Sequence, residues 1–381
     1  MTFSARFSIG HVDTGMTLRG GQRQLLLLAR GLRKRGHEQI VVCPEQSHLS
    51  IAARDEGLAV LDLPERDFKH ARGIRRLRRL VHERRIAILH AHDGAGQTVA
   101  WLASLGTSVR RVASRRVTFM PSRRLDYRLK YQYTCHAVIA VSAFVGKLVE
   151  SSGIPSDMIH VIPDGIEIPC QLPDAEARLQ ARAAWGFAQH DFVLGHVGSF
   201  SPEKGQDLAI EAFTTLQERL PQAKLLLVGE IPPQKTASLS KAISVSGNKI
   251  RLAGLQNDLT HFFAALDLFI MPSRSEGLGS AALQAMSYAL PVIATRVGGL
   301  PEIVEEGRTG WLVRPESPRE LADAIVNAAS DPVRLRQYGL NGRERSSNFS
   351  VGIMVEKTVD LYAQLLDARR TEPSHAPGDQ Y

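Results

Sequence analysis

Cysteine is scarce in this chain of 381 residues: there are three, and none belongs to a Cys-x-x-Cys pair. Because Cys43, Cys135 and Cys170 are odd in number and far apart, we expect neither a disulfide scaffold nor a structural zinc site, and a reducing compartment fits. Aromatic residues make up only 6% of the chain and do not interleave with its basic clusters. No known nucleic-acid-binding motif is present either, so nucleic acid is not an expected partner.

Long apolar runs are also few. The apolar run within residues 1–10 is too short for a signal peptide. Residues 277–295 are free of charge over 19 positions, but they include several polar residues and Pro291. An isolated spanning helix would tolerate these poorly, so we interpret the stretch as a buried helix that ends before Pro291, followed by a core strand. We expect no membrane span and a cytoplasmic protein, with the inner face of the cytoplasmic membrane as an alternative location.

The rest of the composition is that of a globular protein, with 44% hydrophobic and 23% charged residues, and the length suggests two domains. Short apolar runs alternate with longer amphipathic stretches, which predicts helices alternating with the strands of parallel sheets. The predicted strands are residues 7–12, 39–43, 59–61, 86–90, 111–113, 138–141, 193–197, 224–228, 250–252, 268–271, 292–294 and 310–313.

The strand series restarts after residues 166–174, a short polar run with prolines that predicts a linker. We therefore predict two tandem, doubly wound, Rossmann-like α/β domains at 1–168 and 174–348, then a helix at 350–368 and a disordered tail at 369–381. In such folds ligands bind at the carboxyl ends of the strands. We expect a cleft between the domains, lined by strand-to-helix loops.

The loop at residues 19–22 precedes the first predicted helix, at 21–35. Its paired glycines, Gly20 and Gly21, would let a ligand approach the backbone, and a helix N-terminus favours an anion. A plain turn is the alternative. The loop is neither a GxGxxG nor a Walker sequence, so neither a dinucleotide nor a P-loop nucleotide site is supported.

Two histidines, His90 and His92, come at the end of a predicted strand and share one of its faces. Such a pair could chelate a metal, or could be ordinary buried histidines with satisfied hydrogen bonds. We favour a histidine that donates a hydrogen bond to a polar ligand at the mouth of the cleft, and we expect no metal.

Two loops of the second half place a charged residue beside glycines. Residues 198–205 hold Lys204, a point charge that would be aimed into the cleft; a solvated lysine is the alternative. Residues 272–280 open a predicted helix at 281–289, and their glycines would expose backbone N–H groups that suit a diphosphate. Glu276 in this loop could accept hydrogen bonds from sugar hydroxyls, and a simple helix cap is the alternative.

These loops lie within longer segments whose order is informative. The second half contains SRSEGLGSAALQAM followed by LPVIATRVGGLPEIVEEGRTGWLV. Before it come FSPEKGQDLAIEAF, VIPDGIE and AVSAFVGKLVESSGI, and the chain opens with HVDTGMTLRGGQRQLLLLARGLRKRGH. Up to about Leu366, these segments resemble the landmarks of the retaining family 4 glycosyltransferases. The resemblance implies the GT-B fold, with the acceptor site mainly in the first domain and the nucleotide-sugar site mainly in the second. It also implies that residues 351–366 cross back to the first domain.

The resemblance also implies roles for individual residues. Lys204 would hold the donor diphosphate, Glu276 would bind hydroxyls of the transferred sugar, and His92 would lie beside sugar and acceptor; these three are the predicted catalytic residues. The predicted donor-binding residues are Gly20, Gly21, Ser199, Lys204, Leu255, Gln256, Arg274, Glu276, Gly277, Leu278, Gly279 and Gln284.

Two positions depart from the family pattern. Ser199 stands where an arginine is common, so one charge for the diphosphate is missing and only Lys204 and Arg274 remain for it. Gln284 replaces the usual glutamate that binds ribose, and an amide accepts less strongly than a carboxylate. A catalytically weak or inactive sugar-nucleotide-binding protein is therefore the alternative function.

The function implied is a retaining hexosyltransferase that uses a nucleoside diphosphate sugar, with UDP favoured, to modify a hydroxyl in cell-envelope glycan or glycolipid synthesis. The sequence contains no Asp-x-Asp. The charge of the leaving group would then be balanced by Lys204, backbone amides and a helix N-terminus, without metal or cofactor. The expected route is front-side attack, in which the departing phosphate takes the acceptor proton.

Charge is distributed unevenly along the chain. Residues 1–170 hold 26 basic and 15 acidic side chains, whereas the remainder holds 21 and 24. Two clusters, at residues 72–85 and 110–130, carry much of the excess. They are interpreted either as solvated helix faces or as a site for an anionic membrane surface that holds a lipid-linked or glycan acceptor. The second interpretation predicts a peripheral membrane protein.

Overall fold

The computed structural model describes residues 6–119, 125–235, 239, 243–247 and 249–371. Its described residues form two compact units. The first contains the chain up to Gly165 together with the C-terminal helix that begins at Val351, and the second is Ile166–Ser350. The chain therefore enters the second unit once and leaves it once.

The first unit is built on a parallel sheet of seven strands in the order β3-β2-β1-β4-β5-β6-β7. The strands are β1 Ser8–Val12, β2 Glu38–Pro44, β3 Ala59–Leu63, β4 Ile88–Ala91, β5 Arg110–Arg115, β6 Ala137–Ala140 and β7 Ile159–Val161. The helices are Gly20–Lys34, His48–Asp55, Ala71–Glu83, Gly94–Ser104, Leu125–Thr134, Ala143–Ser151 and Val351–Thr371.

The second unit is built on a parallel sheet of six strands in the order β10-β9-β8-β11-β12-β13. The strands are β8 Phe192–Val197, β9 Ala223–Val228, β10 Ile250–Leu252, β11 Leu268–Met271, β12 Val292–Thr295 and β13 Gly310–Val313. The helices are Ala175–Ala184, Gln206–Leu216, Thr260–Ala265, Ser280–Ser287, Leu300–Ile303, Pro318–Ala329 and Pro332–Ser346.

Both sheets reverse their strand order at one place, between β1 and β4 in the first unit and between β8 and β11 in the second. At such a reversal the loops after the two strands turn to opposite faces of the sheet and leave a crevice at its carboxyl edge. The polar residues that follow β1, β4, β8 and β11 are therefore the ones the fold makes available to a ligand.

The predicted α/β class is confirmed, and each of the twelve predicted strands is present within a few residues of its expected bounds. Strand β7 was missed because it is short and half exposed, so it lacks an apolar run. The charge-free stretch forms the helix Ser280–Ser287 and then β12, as predicted. Among the described residues, no helix has the length and apolarity to cross a membrane.

The C-terminal helix Val351–Thr371 packs on the first unit. Its buried side chains, among them Val355 and Tyr362, lie in one core cluster with β1 and with the helix Gly20–Lys34. Gly31 makes this approach possible, because a Cβ there would lie 2.4 Å from a methyl carbon of Val355. The helix continues three residues into the segment predicted as a disordered tail, which corrects that prediction for 369–371. Residues 372–381 lie outside the described part of the chain.

The second basic cluster is helical only at its end, where residues 125–130 belong to the helix Leu125–Thr134. Residues 110–115 form β5, and both Arg110 and Arg115 are buried. Arg110 Nε donates to the carbonyl oxygen of Leu365 at 3.0 Å, and Arg115 Nη2 donates to that of Phe119 at 2.6 Å. The interpretation as a solvated helix face is wrong for this strand, because its arginines satisfy backbone carbonyls inside the unit. Residues 120–124 of the predicted cluster lie outside the described residues.

The first basic cluster does form a helix, Ala71–Glu83, with Leu77 and Val81 buried against the sheet. Arg78 donates to the carbonyl oxygen of Leu105 at 2.7 Å and is half-buried. The other arginines of the helix are exposed; we call Arg72, Arg75, Arg76 and Arg79 the basic face.

Candidate active site

The predicted lysine and glutamate of the second unit are in direct contact. Lys204 ends the short turn Pro202–Lys204 after β8, and its Nζ donates to Glu276 Oε1 at 2.5 Å. Gly205 has φ +68° and lies so close to Pro272 that a Cβ would be 2.0 Å from the carbonyl oxygen. Only glycine fits there, which holds the lysine turn against the loop that carries the glutamate.

Glu276 is buried, with a side chain only 8% exposed. Ser273 Oγ donates to the same Oε1 at 3.1 Å, and the N–H of Gly299 donates to the Glu276 carbonyl oxygen at 3.1 Å. A Cβ on Gly298 would lie 1.8 Å from that oxygen, so glycine is required beneath the loop. Burying a carboxylate is costly unless a cation pairs with it. Glu276 pairs with Lys204, and this ion pair fixes where the lysine side chain points.

The backbone after Glu276 leads into the helix Ser280–Ser287. Gly279, which precedes it, has φ +100°, and a Cβ there would lie 2.5 Å from Leu300 Cδ2. No described side chain caps this helix start, and its first turn has no acidic residue, so its first N–H groups remain suited to an anion. Gln284 is half-buried on the same helix. Gly277, Leu278 and Gly279, which connect Glu276 to this helix, are buried.

The remaining predicted donor residues are more exposed. Leu255 is 68% exposed, and Gln256 donates from its side chain to the carbonyl oxygen of Ala253 at 2.6 Å. Ser199 is exposed on the loop after β8. Their assignment to a nucleotide stays a prediction.

Arg274 is engaged within the unit. Its guanidinium donates to both carboxylate oxygens of Asp207 at 2.8 Å, to the carbonyl oxygen of Pro202 at 2.8 Å and to both carboxylate oxygens of Glu316. These hydrogen bonds raise the pKa of Arg274, with that to Asp207 the largest cause, and Arg274 in turn lowers the pKa of Asp207. Asp207 and Glu316 are site residues that sequence reasoning missed, since both lie far from Arg274 in the chain.

In the first unit, His92 belongs to a chain of hydrogen bonds across strand ends. Gln39 Oε1 lies 2.7 Å from His11 Nε2, and His11 Nδ1 lies 3.1 Å from His92 Nε2. An amide oxygen only accepts, so His11 donates from Nε2, and His92 must then donate from Nε2 to His11 Nδ1. Arg116 Nη1 lies 3.4 Å from the remaining nitrogen, His92 Nδ1. His92 is therefore oriented as a neutral ring whose Nδ1 accepts.

His90 lies beside this chain with both nitrogens engaged, at 2.7 Å from the Tyr362 hydroxyl and 2.8 Å from Ser114 Oγ. Burial, followed by the charges of neighbouring groups, lowers the pKa of His90 and of His92 well below the ordinary value. Burial is also the main cause that lowers the pKa of His11 to about 4.

Among the described residues, these three histidines are the one group whose nitrogens are close enough to hold a metal ion together. Each ring already has a hydrogen-bond partner, and the cation Arg116 lies at the edge of the group. A metal would have to displace these bonds beside a positive charge, so the geometry favours a hydrogen-bonded cluster.

The glycine loop of the first unit lies at the same sheet end. Gly20 is exposed, with nothing within 4 Å of the position a Cβ would take, and such a Cβ on Gly21 would lie 4.0 Å from Arg116 Cδ. Gln22 donates to Asp13 Oδ1 at 3.0 Å. Burial, then the nearby Asp93, raises the pKa of Asp13. The exposed Gly20 and the nearby arginine give this loop room and positive potential for an anion.

Arg116 is the functional candidate that sequence reasoning missed in the first unit. It donates to Asp164 Oδ1 at 2.9 Å while its other nitrogen faces His92. The only sequence signal was its place in a basic cluster, which could not distinguish it from its neighbours.

Comparison with known proteins assigns both units. Residues 18–168 match the family model described as Glycosyltransferase Family 4, and residues 191–331 match the model described as Glycosyl transferases group 1. The chain belongs to the family 4 glycosyltransferases. The two matches fall one in each unit of this glycosyltransferase, and the resemblance predicted from its motifs is confirmed.

Its curated relatives act on several substrates. A GDP-mannose-dependent alpha-(1-6)-phosphatidylinositol monomannoside mannosyltransferase of Mycolicibacterium smegmatis is 29% identical over 262 residues, 64% of this chain and 68% of the relative. A D-inositol 3-phosphate glycosyltransferase of Segniliparus rotundus is 28% identical over 351 residues, 86% of this chain and 77% of the relative.

Solved structures agree on the architecture. Anabaena Alr3699/HepE, in complex with UDP and glucose, has a TM-score of 0.84 at 22% identity and covers 94% of this chain and 100% of its own. A glycosyltransferase from Rickettsia africae has a TM-score of 0.85 at 23% identity, with coverage of 95% and 99%. At this identity the likeness concerns the fold, and the predicted GT-B fold is confirmed.

Proposed function

We propose that this glycosyltransferase moves a hexose from a nucleoside diphosphate sugar to an acceptor hydroxyl with retention of anomeric configuration. The observation that carries the proposal is the ion pair between Lys204 and the buried Glu276 at the carboxyl end of the second sheet. This pair places a cation, and a carboxylate that can accept hydrogen bonds from sugar hydroxyls, close enough to bind one nucleotide-sugar molecule. Both lie next to the uncapped start of the helix Ser280–Ser287.

Lys204 and Glu276 bind different parts of the donor molecule. Lys204 turns from Glu276 to the diphosphate, and Glu276 then accepts hydrogen bonds from sugar hydroxyls, so that neither charge is left unpaired on binding. Lys204 and the helix N-terminus balance the charge of the leaving nucleoside diphosphate, and no metal is required. The departing phosphate takes the acceptor proton during front-side attack. His92 lies beside the sugar and the acceptor, with its Nδ1 accepting from Arg116.

The donor and acceptor classes follow from chemistry and relatives. One relative is named for GDP-mannose and one solved relative holds UDP, so GDP and UDP sugars are the donors to test, with UDP favoured. Named relatives act on inositol phosphate or phosphatidylinositol mannoside. An anionic polyol or glycolipid of the cell envelope is the acceptor that suits the basic first half.

The test incubates the protein with UDP and GDP hexoses, with and without an inositol-phosphate acceptor, and measures released nucleoside diphosphate. We expect release that depends on acceptor and persists in EDTA, and a product whose anomeric proton shows retention by NMR. Tight nucleotide binding without release would favour the alternative, an inactive binding protein, which the exposed Ser199 and the amide Gln284 motivate. An inverted product would contradict retention.

A second part of the proposal concerns membrane attachment. The basic face is exposed and has no acidic residue before Glu83 in its helix, so it suits an anionic lipid surface that holds the acceptor. Each basic side chain near such a surface contributes about 1 kcal/mol. We expect vesicles with anionic lipid to bind the protein and neutral vesicles not to bind it.

A charge-matched comparison tests this attachment. One variant changes the four arginines of the basic face to glutamine; the control changes four exposed arginines of the second unit, namely Arg219, Arg308, Arg314 and Arg334. Both lose the same charge, so loss of binding in the first variant alone supports a local surface. Equal loss in both would mean that only net charge matters.

A further inference from the structure

Arg274 joins separate loops of the second unit through its backbone and its side chain. Its N–H donates to the Glu203 carbonyl oxygen at 2.8 Å, and its Nη1 donates to the carbonyl oxygen of Pro202 at 2.8 Å. Both acceptors belong to the turn Pro202–Lys204. The side chain also holds Asp207, in the first turn of the next helix, and Glu316, after β13.

The hydrogen-bond capacity of this guanidinium is fully used. Arginine has five N–H groups. Nε donates to Glu316, Nη1 donates to Pro202 and Asp207, and Nη2 donates to Asp207 and Glu316. No N–H of this guanidinium is left for a phosphate oxygen.

We propose that Arg274 is a positioning residue that holds the turn Pro202–Lys204 in place, in contrast to the diphosphate ligand expected from sequence. The guanidinium fork fixes the turn from one side, and the Glu276 carboxylate fixes the lysine ammonium from the other. Lys204 is thereby set at one point above the sheet end before any ligand arrives. The diphosphate role of Lys204 rests on the proposed function, whereas the clamp itself does not.

Amide hydrogen exchange of the ligand-free protein tests the clamp directly. Arg274→Lys keeps the charge but loses the fork, and Arg274→Gln loses both. We expect peptides that contain the amides of Lys204, Arg274 and Ser275 to exchange at least roughly tenfold faster in both variants, because several coupled hydrogen bonds are lost. The control is Arg219→Lys, which alters an exposed pair with Asp323. Unchanged exchange at Lys204 in Arg274→Lys would overturn the proposal.

Nucleotide binding separates a clamp from a ligand by the sign of the effect. Asp207→Asn and Glu316→Gln each remove a negative charge and leave Arg274 in place. If Arg274 were a diphosphate ligand, these variants would free it, and UDP or GDP would bind more tightly. For a clamp we expect weaker binding, by roughly threefold to tenfold, in the same direction as Arg274→Lys. Tighter binding in either variant would overturn the proposal.

The two experiments also keep the two proposals apart. If the wild-type protein bound neither UDP nor GDP, the proposed function would fail, while the exchange rates would still decide whether Arg274 holds the turn. Thermal unfolding of each variant identifies any that lost its fold, and the conservative Asp207→Asn then replaces it in the exchange measurement.

Discussion

The carboxyl ends of the two sheets have the same strand reversal but opposite polar chemistry. In the first unit the centre is a set of buried, neutral imidazoles, with one arginine at its edge. In the second unit the centre is ionic: Lys204 forms an ion pair with Glu276, and Arg274 lies between the carboxylates of Asp207 and Glu316. The same backbone frame thus holds a neutral, hydrogen-bonded cluster in one unit and a positioned cation in the other.

Desolvation explains how each end keeps its charge state. Among the residues the structure describes, the buried imidazoles have no carboxylate partner, so burial holds their pKa values low and the rings stay neutral near pH 7. Lys204 is 29% exposed and faces a carboxylate, so its ammonium keeps both water and a counter-charge. Variants that change or remove these charged and titratable groups test whether the first sheet end is neutral and the second is ionic.

The largest effect is expected for Lys204→Ala, which removes the only cation aimed at the donor phosphates from this pair. We expect kcat/KM to fall by roughly thirtyfold to a thousandfold, which corresponds to about 2–4 kcal/mol of lost transition-state stabilisation. The assay is nucleoside diphosphate release. Lys224→Ala, at the other end of the same sheet, is the control. Equal turnover in a folded Lys204→Ala protein would remove Lys204 from the site.

The neutral cluster predicts a stability that depends on pH. A histidine whose folded pKa is depressed binds fewer protons folded than unfolded, so stability is full above about pH 6.5 and falls as pH drops toward the folded pKa. For His11, whose pKa is about 4, the loss between pH 6.5 and 5 is on the order of 2 kcal/mol.

Thermal unfolding at pH 7.5 and at pH 5 measures this dependence. His11→Gln should reduce the difference in melting temperature between the two pH values, and His190→Gln, on the exposed surface, should leave it unchanged. A melting temperature that is flat over this interval would show that the imidazoles are not neutral and buried in solution.

Glu276→Gln keeps the shape of the side chain and removes the charge that Lys204 pairs with. We expect at least a roughly tenfold loss of kcat/KM, since a hydrogen bond to a charged group contributes ~1.5–3 kcal/mol. The double variant Lys204→Ala/Glu276→Gln, which leaves no buried unpaired charge, distinguishes lost folding from lost chemistry. If Glu276→Gln bound donor and turned over normally, its carboxylate would have no role with the sugar.

The smallest effect is expected for Gln284→Glu. A carboxylate accepts more strongly than an amide from a ribose hydroxyl, so donor affinity should stay the same or rise, by about 1 kcal/mol at most. Titration with UDP and GDP measures it. Abolished binding would show that Gln284 does not face the ribose.

Sequence alone predicted the elements well, because parallel strands buried on both faces appear as apolar runs, as in β11 (LFIM) and β12 (VIAT). It missed β7, which is short and half exposed, and it predicted only residues 111–113 of β5, whose arginines it also assigned to a basic cluster. Arg110 Nε donates to the carbonyl oxygen of Leu365, 255 positions away, and Arg111 Nε donates to that of Thr134, so only the folded chain brings these partners near. No local pattern encodes such distant partners.

The same limit applies to the site. Glycine loops and a charged residue beside them predicted Lys204 and Glu276, because loops after parallel strands converge whatever their sequence. Their contact could not be deduced, since the residues are separated by 72 positions. The partners of Arg274 and the tautomer of His92 depend on angles and distances between loops and strand ends, which residue type does not specify.

The two places where the chain passes between units show how one unit of such an enzyme can be replaced by that of another. Ile166 donates its N–H to Phe349 and bridges to Ser350, so the start and end of the second unit are neighbours. Residues 166–350 are thus a cassette inserted into the first unit at one point. The whole second unit can therefore be exchanged as a single segment with two adjacent joints. Gly165 must be kept at the joint, because a Cβ there would lie 2.8 Å from the Cα of Val351.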